Sequence, residues 1–116
     1  MSANAAHALS AIAFQLAAAL EAYEQDIARL VRRPMDGDAY QGASRKMDQM
    51  RLYAASLPQV SVAWVEVLIR HFELTQALWR LRTIEEQAEG LDELFAVHHD
   101  AVRRLMGKCS QLMPRA

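Results

Sequence analysis

Four histidines and a single cysteine are the side chains with most capacity for chemistry: His7, His71, His98, His99 and Cys109. Metal binding is the first chemistry to test. A di-iron bundle needs Glu-x-x-His on two helices, with further carboxylates. The residues three before His71, His98 and His99 are Leu68, Phe95 and Ala96, so the motif fails at each. His98 and His99 are adjacent, and successive side chains on a helix diverge by about 100°, so they cannot share one ion. Asp36-Gly37-Asp38 opens like a calcium loop, but the twelfth position from Asp36 is Met47, where a bidentate glutamate is required. There is no Cys-x-x-Cys-His motif for covalent haem. Non-covalent haem on His98 would find only Met1 and His7 as partners on the first helix. No metal and no cofactor is expected.

Nucleophilic catalysis is the second chemistry. If the chain folds back at about Gly90, His71 comes level with Cys109, and a thiolate beside an imidazole is the logic of cysteine enzymes. The pattern supplies no orienting Asn or Asp and no oxyanion loop. A buried histidine hydrogen-bonded to a neighbour, with a cysteine as small apolar filler, is the simpler expectation. The same register sets His98 beside Arg80, Leu81 or Arg82, away from His71. Histidine phosphotransfer domains carry Lys and Gly soon after their histidine. Here His71 precedes Phe72-Glu73-Leu74 and His98 precedes His99-Asp100-Ala101. An enzyme is not expected.

The elements that would position these residues follow from composition. The chain has 116 residues, 53% of them hydrophobic, which suits one domain with one core. Alanine (21) and leucine (14) outnumber valine plus isoleucine (11), and there are only 4 Gly and 3 Pro, so the expected class is all-α. An antiparallel four-helix bundle is predicted, with helices over about 3–33, 39–56, 59–89 and 91–113. In the first, Leu9, Ile12, Leu16, Leu20, Tyr23, Ile27 and Leu30 recur at steps of 3 and 4. Phe14 lies off that stripe. Pro34 ends this helix, and Asp38 with Gln41 resembles a capping box for the second. The second turns Met47, Met50, Ala54 and Leu57 inward. The fourth carries Leu91, Leu94, Phe95, His98, Val102, Leu105, Cys109 and Leu112 on one stripe. Asp100 is placed to pair with Arg103 and Arg104.

The third helix is apolar over an arc of roughly 240°, which includes Trp64, Val65, Leu68, Ile69, Phe72, Leu78 and Trp79. Only Glu66, Arg70, Glu73 and Arg80 hold a polar strip, with Glu66 and Arg70 spaced for an i,i+4 pair. Such a helix needs neighbours on at least two sides. Either the other three helices surround it, or part of its surface is left for a partner.

Thirteen basic residues against 14 acidic ones give a formal net charge of −1. That balance argues against a nucleic-acid binder, which needs a basic field, despite local clusters such as Arg29, Arg32 and Arg33. No Lys or Arg precedes Arg29, and alanine is a weak bilayer anchor, so neither a secretory signal nor a membrane helix is expected. A lone cysteine excludes an internal disulfide and fits a reducing, cytoplasmic compartment. Arginine (11) over lysine (2), with the alanine content, is the composition of a GC-rich bacterial genome. The expected function is therefore binding: a bacterial helical protein–protein interaction module, such as an adaptor, a chaperone-like factor or a secretion accessory. Homodimerisation would cover the surplus surface most simply. The interface candidates are Trp64, Leu68, Phe72, Met47, Met50 and Phe14. The alternative is a bundle that holds a small apolar ligand or cofactor at His71 or His98. A cleft containing a histidine of shifted pKa would favour that alternative. A filled core with apolar residues left outside would favour the interaction module.

Overall fold

The computed structural model of the chain describes residues 3–84 and 90–113, with side chains over 4–80 and 90–113. Four helices form an all-α bundle: α1 (Ala3–Arg32), α2 (Gly37–Ala55), α3 (Ser61–Ile84) and α4 (Leu91–Gln111). The sequence reading carried the third helix on to Glu89, and residues 85–89 lie outside the described residues.

The connections are set by local chemistry. Arg29 and Arg32 occupy the last turn of α1, where cations complement the helix dipole. Past Pro34, the Asp36 side chain accepts from the Ala39 N–H at 3.0 Å and starts α2. That backbone bond, aided by Arg29, holds the Asp36 carboxyl below the usual range. The cap is therefore Asp36, not the expected Asp38, because α2 already begins at Gly37 and Asp38 lies inside its first turn. A 3-10 turn, Pro58–Val60, joins α2 to α3. Gly90 adopts φ +80°, a left-handed conformation natural to glycine, and α4 begins at the next residue.

α1 packs along α2 and, on its other side, along α4, while α3 packs chiefly along α4. α2 and α3 touch least among these neighbours, so the α2/α3 side is where the bundle is open. The core contains Leu16, Leu20, Tyr23, Ile27 and Leu30 of α1, with Met50, Leu57, Val67, Leu74, Val102 and Leu105. α1 and α2 approach closely at Gly42, where a Cβ would lie 2.7 Å from the Asp26 carboxylate. Asp26 is buried there and pairs with Lys46, with Arg29 at 3.7 Å.

Two expected surface pairs are replaced by others. Glu66 binds Arg104 of α4, and Arg70 pairs instead with Glu73 at 3.1 Å. Arg103 reaches Glu24 of α1 rather than Asp100. In each case an interhelical or i,i+3 partner is better placed than the pairing read from one helix alone. Among the described residues, α1 over 4–32 is the one helix long and apolar enough to cross a membrane. Its other large apolar residues face the bundle, and its outer side carries Phe14, several alanines and polar residues such as Gln15, Glu21 and Gln25.

Candidate functional site

Three features bear on function: a buried polar cluster, a cleft beside it, and the outer face of α3. Tyr23, on the apolar stripe of α1, sends its hydroxyl across the core between two imidazoles. It lies 2.8 Å from His71 Nδ1 on α3 and 2.8 Å from His98 Nε2 on α4. A hydroxyl has one proton to donate and lone pairs to accept. The O–H donates to one imidazole nitrogen and accepts the N–H of the other, so the trio is satisfied with both rings neutral. Both rings tilt about the tyrosine, with ring centres 5.6 Å from its own. Burial pulls His71 down to about 4. Burial, then the neighbouring His71 and His99, pulls His98 down to about 4. Burial and the adjacent Glu24 push the Tyr23 phenol well above its ordinary range.

This cluster corrects the expected register. His98 meets His71 through Tyr23, not Arg80 or its neighbours. Glu66 against Arg104, and His71 and His98 on one Tyr23 hydroxyl, show α3 running past the start of α4, whereas the sequence reading turned the hairpin at Gly90 itself. Gly90 is the N-cap of α4. Cys109 is fully buried, and its thiol is pushed up to about 11 by burial. His71 has Tyr23 as its ring partner, so the sequence-level pairing of His71 with Cys109 is replaced. Among the described residues no group of three His, Cys, Asp or Glu is placed to hold a metal ion.

His71 also lines a half-open cleft of about 270 Å³ between α2 and α3. Met47 and Leu68 contribute apolar wall, Phe72 stands at the mouth, and Ser44, Asp48 and Arg51 come from α2. A shallower continuation passes Arg51 to Trp64 and Val65. The cleft exists because α2 is short and its contact with α3 is light.

The outer face of α3 is the largest departure from a filled bundle. Val62 is 84% exposed, Phe72 62%, and Val65, Ile69 and Trp79 about half. With exposed Gln76 these residues fall at 62, 65, 69, 72, 76 and 79, the alternating 3-4 spacing of a coiled-coil seam. They lie opposite Val67, His71, Leu74 and Leu78, which face the core. The apolar side chains leave roughly 500 Å² in water, at the upper end of what monomers expose.

The six interface candidates divide accordingly. Trp64, Met47 and Met50 are buried in the monomer and belong to its core, not to an exposed surface. Leu68 is half-buried at the cleft. Phe72 belongs to the exposed seam. Phe14 is 64% exposed but stands on α1, across the bundle from α3. The sequence reading treated the α3 arc as one surface, so it did not separate Val65, Ile69 and Trp79 from the core positions, and it left out Val62. Their 3-4 spacing was the available signal. Nothing in the sequence marked Tyr23 as more than a core residue.

No family model, curated protein or solved structure matches the chain. Its function is therefore argued from these three features alone.

Proposed function

We propose that this chain is a non-enzymatic helical protein–protein interaction module that self-associates through the surplus apolar surface of α3. The observation that carries the reading is the exposed seam at 62, 65, 69, 72, 76 and 79, on the side of α3 opposite its core residues Val67, Leu74 and Leu78. Apolar surface of this extent at coiled-coil spacing supports a helical partner, because knobs at both seam positions need holes from a facing helix. An adaptor, chaperone-like or secretion-accessory role in a bacterial cytoplasm is the setting we infer, and the single buried thiol fits a reducing compartment.

The test is the pair Ile69→Lys and Val62→Lys in one chain. Both residues are at least half exposed, so helix content and unfolding midpoint should stay near the parent's. Sedimentation velocity should then show loss of any associated species. Unchanged association would refute the reading.

A second reading, a small ligand in the α2/α3 cleft, is favoured by His71, a neutral buried imidazole in a cleft wall. The first reading is preferred because the cleft is small for a ligand site and His71 is already held by Tyr23. Titration with a hydrophobic fluorescent probe separates the two. Binding that survives the double lysine substitution but is lost in Leu68→Trp, which fills the cleft, would favour the second.

A further inference from the structure

We infer that the partner of this seam is a second copy of the chain, with α3 packed against α3 in antiparallel sense about a two-fold axis passing between Ile69 and Phe72. This rests on the reading of α3 as an interaction surface. The seam has six positions. In antiparallel pairing the first meets the sixth, the second the fifth and the third the fourth. Val62 of each copy then lies opposite Trp79 of the other, Val65 opposite Gln76, and Ile69 opposite Phe72. Every layer joins a larger side chain to a smaller one, so the two helix axes stay at even spacing and the layers fill. Parallel pairing would stack Trp79 on Trp79 and Phe72 on Phe72 at one end, and Val62 on Val62 at the other. That wedge leaves voids beside the valines or splays the helices.

Charge does not oppose the arrangement. The carboxylates flanking the seam are Glu66 and Glu73, and each is paired within its own chain, Glu66 to Arg104 and Glu73 to Arg70. The antiparallel sense also opposes the two helix dipoles favourably. Complete burial of the apolar seam, roughly 500 Å² from each copy, gives about 1,000 Å² in total, the lower bound for a specific interface. A single closed two-fold contact uses the seam once on each copy and leaves no apolar seam open to further growth.

Disulfide trapping tests the pairing directly. Two chains are made in a Cys109→Ala background, one with Val65→Cys and one with Gln76→Cys. They are mixed, oxidised and resolved by non-reducing electrophoresis and mass spectrometry. In the proposed dimer the 65–76 pair faces across one layer. Two copies of residue 65 stand about 16 Å apart along the axis, beyond disulfide reach. The mixed 65–76 disulfide should therefore exceed either like pair by about tenfold or more. Like pairs dominating would establish parallel packing and overturn the inference, leaving α3 as the interface. A dimer by light scattering with no bridge at either position would place the contact on another face, which overturns both this inference and the α3 reading. A monomer at every concentration overturns self-association itself. Chains with Val62→Cys and Trp79→Cys repeat the test at the seam's ends, so a folding defect in one pair does not decide it.

Discussion

Acid should unfold this bundle in a window set by His71 and His98, not by its carboxylates. Each imidazole has a folded pKa of about 4 against an ordinary value of 6.5. The unfolded chain therefore binds more protons between these values. The stabilisation is fully present above about pH 6.5 and is lost as pH falls toward 4. At pH 5 each histidine alone would cost about 2 kcal/mol, from about 1.4 kcal/mol per pH unit over the interval. The two are not independent, since both hydrogen-bond one hydroxyl. A proton added to the accepting imidazole leaves the Tyr23 O–H with no acceptor in the trio, and a second charge would repel the first. That coupling makes the folded trio harder still to protonate, so the two losses add and the joint loss at pH 5 should approach about 4 kcal/mol, a large share of a small domain's stability. Urea unfolding followed by circular dichroism at pH 7 and pH 5, at one fixed protein concentration, measures it. A double substitution, His71→Gln with His98→Gln, keeps donors and acceptors beside Tyr23 but cannot titrate there. It should be less stable at pH 7 yet nearly flat over the same interval. An equal fall in the double variant would refute the reasoning, as would no fall in the parent.

Other outcomes follow from the packing. Trp64→Ala should lower unfolding stability by about 3–5 kcal/mol, because the indole is only 8% exposed between α2 and α3; a change in association with no loss of stability would contradict its place in the core. Gly42→Ala should destabilise in thermal unfolding despite alanine's helix propensity advantage of about 1 kcal/mol, because the new Cβ drives Asp26 from Lys46; a raised melting temperature would show that the carboxylate can move freely. Cys109 should react with a thiol reagent at pH 8 far more slowly in the folded chain than in urea, since it is fully buried and its thiol is pushed up to about 11. Equal rates would place it outside the core.

The sequence carried the fold further than it carried the site. Alanine and leucine content, Pro34, Pro58 and Gly90 indicated four helices and, the end of α3 aside, placed their bounds to within a few residues, because breakers and caps act locally. The stripe from Leu16 to Leu30 named the α1 core, since one face of one helix follows from periodicity alone. What escaped was relational. Whether His98 meets His71 or Arg80 depends on how far α3 overruns α4, and a shift of one helical turn changes the partner. Tyr23 looked like any core residue because its hydroxyl acquires partners only when three helices assemble. On α3 the apolar arc was legible, but dividing it into a core face and an outer seam required knowing where α2 and α4 lie.

The central claim is that the outer seam of α3 is covered by a second copy, and molar mass by light scattering on a sizing column tests it most directly. Samples loaded over a hundredfold range of concentration should approach about 26 kDa, twice the 13.1 kDa of the chain, at the high end. The Val62→Lys, Ile69→Lys chain should stay at 13.1 kDa throughout with its helix content intact. A parent chain that remains at 13.1 kDa at every concentration would contradict the account.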